Sequence, residues 1–164
     1  MTRLTTRLGT LALCAGALLL ALPAQAAEFE VKMLNKGPDN QAMTFDPPFL
    51  KVQAGDTVKF VPTDKGHDAE TIPGMLPDGA TPFKGKLSQE VSVTFDKPGL
   101  YGYRCVPHFG MGMVGLIEVG SSTANLDAAK QAKMPPLATK RMTALLDQAV
   151  KSTTADAGAG HASR

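Results

Sequence analysis

Apolar and polar residues alternate from Glu28 to Leu34, the period-two signature of a strand with one buried face, and the loop Asn35-Lys-Gly-Pro-Asp-Asn40 ends it. Met43–Phe45 and Phe49–Val52 repeat the pattern on either side of Asp46-Pro-Pro48, and Ala54-Gly-Asp56 turns the chain into Thr57–Val61. A polar loop, Asp64–Glu70, leads into irregular Pro/Gly-rich sequence from Ile72 to Lys86. Gln89–Phe95 then alternates again, Asp96-Lys-Pro-Gly99 turns, and Gly99–Arg104 and Val114–Val119 flank a short loop as the arms of a hairpin. Many short strands at this spacing predict an all-β domain, a sandwich or barrel with Greek-key connections.

After Gly120 the period changes. Leu126–Lys133 reads as a helix with Asn125 as a candidate N-cap, and Pro135-Pro136 breaks it and opens a second. There Ala138, Met142, Leu145 and Ala149, joined by Leu146, fall on one stripe that predicts packing against the sandwich. Residues 151–164 are small and polar and read as a flexible tail, with His161 incidental.

The first residues are of another kind. Arg3 and Arg7 precede an apolar run from Leu8 to Leu22, which Pro23 breaks before Ala24-Gln25-Ala26. A run so short, ending in small residues, predicts a secretory signal peptide over residues 1–26 rather than a membrane span. The remaining division is a β-domain over 27–120, a helical extension over 121–150 and the tail. Cleavage at Ala26, or one residue later, leaves about 138 residues, enough for one domain. It also removes Cys14 and two of the 17 basic residues, so the mature chain carries no net formal charge against its 15 acids. That balance argues against nucleic-acid binding. No membrane anchor is expected after cleavage, and a monomer is. One cysteine remains, so an internal disulfide is excluded, and an exported lone thiol needs protection of another kind.

That thiol lies in the hairpin loop, Cys105-Val-Pro-His108-Phe-Gly-Met111-Gly-Met113. Singly, each residue has a plain explanation: cysteine as a small core residue, histidine as a loop residue, methionine as filler. Together, thiolate, imidazole and thioether form a soft donor set suited to copper. His67, after a strand and a glycine, is the plausible remaining ligand from elsewhere in the chain. Blue-copper sites need two histidines, one cysteine and a weak axial methionine, an inventory met once here. On chemistry alone Met111 and Met113 both compete for the axial place.

Several stretches resemble one family. Lys65-Gly-His67-Asp-Ala-Glu70, the Cys105–Met113 loop, Met33-Leu-Asn-Lys-Gly37 and Ala124-Asn-Leu-Asp127 are similar to cupredoxins, and among these to the pseudoazurin family, over about Glu28 to Val150. The resemblance implies an eight-stranded Greek-key sandwich with two C-terminal helices, holding one copper ion through His67, Cys105, His108 and axial Met113. It implies a periplasmic carrier of single electrons, not an enzyme, that serves acidic-surfaced redox proteins such as copper nitrite reductase. It places Met43 near the exposed histidine, gives Asp68 and Pro107 supporting places beside the ligands, and makes Lys36, Lys65, Lys84, Lys86 and Arg104 a docking ring. Pro107, Phe109, Met43 and Met111 would form an apolar patch around His108. Two positions depart from the family: Asp68 stands where asparagine is usual, and Val106 where threonine is frequent. An ionised aspartate accepts hydrogen bonds but cannot donate them, which changes the tie between the two ligand loops.

Two other functions compete. A hydrolase with Cys105 as nucleophile and a histidine base leaves Met113 without a role. A periplasmic copper chaperone, with no dedicated electron-transfer partner, would favour an exposed methionine-rich site over this mixed set.

Overall fold

In the computed structural model, which describes residues 25–161, eight strands form two four-stranded sheets. They are β1 (Glu28–Lys36), β2 (Ala42–Asp46), β3 (Phe49–Val52), β4 (Thr57–Val61), β5 (Glu70–Thr71), β6 (Val91–Thr94), β7 (Gly99–Arg104) and β8 (Val114–Val119). One sheet runs β2-β1-β4-β6 and the other β3-β8-β7-β5. β1 pairs parallel with β4 and β3 with β8, so the chain crosses between the sheets instead of winding up and down. This is the expected Greek-key sandwich. The leader lies outside the described residues save for its last two, Gln25 and Ala26.

The alternating pattern explains the core. Val31 and Met33 of β1, Val58 and Phe60 of β4, and Phe45 of β2 face inward and are fully buried. They meet Tyr101, Tyr103, Ile117 and Val119 from the other sheet. Aromatic rings interlock there edge to face, with Tyr103 4.7 Å from Phe45 and 4.9 Å from Phe60 between ring centres. Each such pair adds about 0.5–1.5 kcal/mol beyond area burial, which offsets the lack of tryptophan. Tyr103 sits opposite Gly115 across the β7–β8 hairpin. Its ring occupies the space that any side chain at 115 would need.

β7 and β8 are buried throughout except at Arg104, because a second layer covers their other face. That layer is α1 (Leu126–Lys130) and α2 (Pro136–His161). Ala138, Met142, Leu145, Leu146 and Ala149, the stripe seen in the sequence, pack with Ile72, Met75, Leu100, Val114 and Leu116. Truncating a buried residue of this kind, such as Met142→Ala, costs about 2–5 kcal/mol.

Some ends shift by two or three residues, as where α1 stops at Lys130 and not Lys133, and three larger details differ from the sequence reading. β5 falls where loop was expected; two residues long, it is held by pairing with Tyr103 and Arg104 and by a bridge from Glu70 to Lys84. Asn125 does not cap α1 with its side chain. It instead accepts from Leu100 N–H at 2.9 Å and donates to Leu100 C=O at 2.8 Å, stitching the helix start to β7. Finally, α2 does not end near Lys151 but continues to His161, through most of the expected tail. Polar contacts explain it. Thr153 donates to buried Glu118 of β8 at 2.9 Å, Lys51 of β3 donates to Ser152 at 3.2 Å, and Asp156 accepts from Ser121 at 2.7 Å and pairs with Lys51. Among the described residues no helix is long and apolar enough to cross a membrane.

Candidate metal centre

The loop between the central strands β7 and β8 is closed by its own backbone. Cys105 N–H donates to Met113 C=O at 3.0 Å, and Met113 N–H donates to His108 C=O at 3.2 Å. A 3-10 turn at Phe109–Met111 and left-handed Gly112 complete the curl. Cys105 and Met113 are therefore held at the loop's base, fully buried in the same core cluster, while His108 is left partly exposed at its edge. His67 reaches the same point from the other ligand loop and is fully buried.

The donor atoms converge. Cys105 Sγ lies 3.7 Å from His67 Nδ1 and 3.4 Å from His108 Nδ1, and the two Nδ1 atoms are 3.1 Å apart. The point equidistant from all three is about 2.0 Å from each, within the ~2.0–2.3 Å of ordinary nitrogen and sulfur bonds to a first-row metal. His67 Nε2 is 3.0 Å from Asn35 Oδ1. Because that oxygen can only accept, Nε2 carries the proton and Nδ1 keeps its lone pair for a metal.

Electrostatics favour this use of the His67 ring. Burial, with His108 alongside, lowers the pKa of His67 despite nearby Asp64 and Asp68, so the ring is held neutral. Burial also pushes the Cys105 thiol up to about 11, although the backbone amides of Asp68 and His108 hydrogen-bond the sulfur and oppose the rise. A thiol of that kind is inert near neutral pH, which protects it, and a metal that binds there must displace the thiol proton.

The neighbouring residues sort clearly. Asp68 Oδ1 accepts the Val106 N–H at 2.7 Å, so the side chain of Asp68 ties the ligand loops by acceptance alone. Met43 is partly buried against the cluster that holds Cys105 and Met113. Pro107 is exposed on the rim, as are Val106 and Met111. Lys36, Lys65, Lys84 and Lys86 are exposed. The loop segments that carry Lys65 and Lys86 are joined, since Gly66 N–H donates to Ser88 Oγ at 2.8 Å and Ser88 N–H to His67 C=O at 2.7 Å. Lys84 also pairs with Glu70 at 3.8 Å, but Arg104 is held more firmly: it donates to Glu70 Oε1 at 2.6 and 3.0 Å and lies 4.8 Å over the Phe109 ring, which makes it framework as much as surface. Two further residues act here with no signal of their own in the sequence: Asn35, within the Met33–Gly37 motif, and Arg141 of α2. Arg141 donates to Met43 C=O and Gly112 C=O, both at 2.9 Å, and to Ala42 C=O at 3.2 Å.

Soft donors arranged in this way on a Greek-key sandwich define a type 1 copper protein. Residues 31–120 match the family of copper binding proteins described as plastocyanin/azurin. Pseudoazurin of Paracoccus pantotrophus is 54% identical over 140 residues, covering 85% of this chain and 96% of that protein. Pseudoazurin of Methylorubrum extorquens is 50% identical over 80% of this chain and 88% of its own. The crystal structure of pseudoazurin from Methylobacterium extorquens superposes with a TM-score of 0.70 at 50% identity, covering 74% of this chain and 98% of that one. That of native pseudoazurin from Hyphomicrobium denitrificans gives 0.70 at 48%, covering 74% and 97%. The chain belongs to the pseudoazurins, the copper-binding electron carriers of that larger family. Members bind one copper and are not enzymes.

Proposed function

We propose that this chain works in the periplasm, holds its copper through His67, Cys105, His108 and axial Met113, and passes single electrons to a copper nitrite reductase. The observation that carries the ligand set is the convergence of Sγ and two Nδ1 atoms on one point. Copper supplies the one-electron chemistry there. The chain fixes the donors beforehand: Asn35 sets the tautomer of His67, the amides of Asp68 and His108 support the thiolate, and the sandwich keeps water from three of the four ligands. Met113, buried in the same cluster as Cys105, would be the fourth and weakest ligand, whereas Met111 is 46% exposed. His108, the exposed ligand, is the exit for the electron.

Recognition follows from what surrounds that edge. Lys36, Lys65, Lys84 and Lys86 form the charged rim, and Pro107, Phe109, Met43 and Met111 the apolar contact, a pairing that speeds encounter without tightening the complex. A chaperone role fits this buried mixed-donor site less well. The test is stopped-flow oxidation of the copper-loaded, reduced protein by copper nitrite reductase. Lys65→Glu with Lys86→Glu should slow association about tenfold or more at low salt and leave the visible spectrum unchanged. A wild-type rate for that variant would remove the charged rim from the account.

A further inference from the structure

Arg141 lies on α2, one turn after Leu137, yet its guanidinium reaches backbone on both sides of the copper end. Nη1 is shared between the carbonyls of Met43 and Gly112, and Nη2 takes that of Ala42. Both carbonyls that share Nη1 belong to left-handed residues: Gly112 has φ 81° and Met43, a non-glycine, φ 48°. A left-handed non-glycine conformation persists only where its surroundings impose it. At Gly112, α2 also packs tightly against the loop. A Cβ there would fall 2.8 Å from Leu137 Cγ and 3.1 Å from Arg141 Cδ, so only glycine lets the helix seat.

Gly112 precedes Met113, and Met43 packs on the cluster that contains Cys105 and Met113. We propose that Arg141 is a positioning residue for the copper site. By fixing the backbone at Met43 and Gly112, it holds the Met113 sulfur at a set distance from the trigonal donors and thereby sets the strength of the axial contact. The helical extension is in this way part of the metal centre and not only a cover for the sheet. A lysine cannot replace it, since three carbonyls in a fixed spread need the planar fork of a guanidinium. The proposal rests on Met113 as the axial ligand.

The test uses the full chain with Arg141→Met and Arg141→Lys, and Thr153→Ala as a control that loosens α2 at its other end. In the copper-free protein, amide exchange at Gly112 and Met113 should quicken about tenfold or more in Arg141→Met, the size expected for one lost charge-assisted hydrogen bond. Arg141→Lys should fall between it and wild type. In the copper-loaded protein, both Arg141 variants should shift the reduction potential and the relative intensities of the thiolate absorption bands. Thr153→Ala should lower the melting temperature and leave both readouts in place. Wild-type exchange at Gly112 in Arg141→Met overturns the proposal. So does a potential shift in Thr153→Ala as large as in Arg141→Met, because loosened packing alone would then suffice. Met113→Leu separates the layers: if it leaves the potential unchanged the axial assignment falls, while exchange at Gly112 still decides whether Arg141 clamps the loop.

Discussion

His67 Nε2 and Asn35 Oδ1 lie 3.0 Å apart, joining two residues 32 positions distant in the chain. The bond settles which nitrogen of His67 faces the metal and fixes the plane of its ring. Asn35→Leu should therefore weaken copper binding about 10–100-fold, the usual effect of losing a partner behind a metal-ligating histidine. Competition against a calibrated copper chelator measures it, and unchanged affinity would show that packing alone orients the ring.

Met111 and Met113 give opposite expectations. Met113→Leu removes the axial donor, so the intense colour should persist while the reduction potential rises. Met111→Leu changes an exposed side chain and should alter stability by no more than about 0.5 kcal/mol, with the potential unmoved. Voltammetry on the two variants decides the assignment, and the reverse result would exchange the residues.

Asp68 acts on the site twice, by accepting the Val106 N–H and by placing a negative charge near Cys105. Asp68→Asn keeps an acceptor and removes the charge. Less negative surroundings favour the reduced metal, so the potential should rise by roughly 20–60 mV, equivalent to about 1 kcal/mol for one electron. Asp68→Ala removes the acceptor as well, at a further cost of about 1 kcal/mol in unfolding free energy. Equal potentials for wild type and Asp68→Asn would mean that solvent screens this charge fully.

The far end of α2 should be pH-sensitive in a defined direction. Hydrogen bonds from Lys51, then from Ser121, hold the Asp156 carboxyl below its ordinary value. A carboxylate depressed in the folded state adds stability above the ordinary carboxylate pKa of about 4, and that stability is lost as pH falls through the depressed value. Amide protection over 152–158, taken relative to the intrinsic exchange rate at each pH, should hold at neutral pH and fall in acid before the sandwich unfolds. Asp156→Asn should remove that acid dependence.

Much of this was legible because the chemistry is compact in sequence. Cys105, His108 and Met113 share one loop, and the alternation around it gives β7 and β8 to within the observed ends. His67 was found by inventory, as the plausible histidine left for a trigonal set. Asn35 and Arg141 were not read because their roles are purely geometric: a neutral amide and a helical arginine gain meaning only from which atom they face. β5 was missed for a related reason, since its two residues carry no period and its pairing comes from Arg104 and Tyr103. The last turns of α2 look like a tail because they lack an apolar stripe. Hydroxyl and charged contacts to Glu118, Lys51 and Ser121 hold them instead.

The Tyr103 ring, set where any side chain at 115 would stand, has a consequence for how tolerance to substitution is distributed. Gly115 touches no ligand, yet even alanine there must displace a ring wedged among Phe45, Phe60 and Phe83. A saturation scan scored on soluble yield would rank position 115 among the least permissive in the chain. Exposed Val106, beside the metal thiolate, would accept most replacements. Mutational sensitivity in this sandwich would map where the two sheets have no spare volume, and nearness to the redox centre would be a poor guide to it.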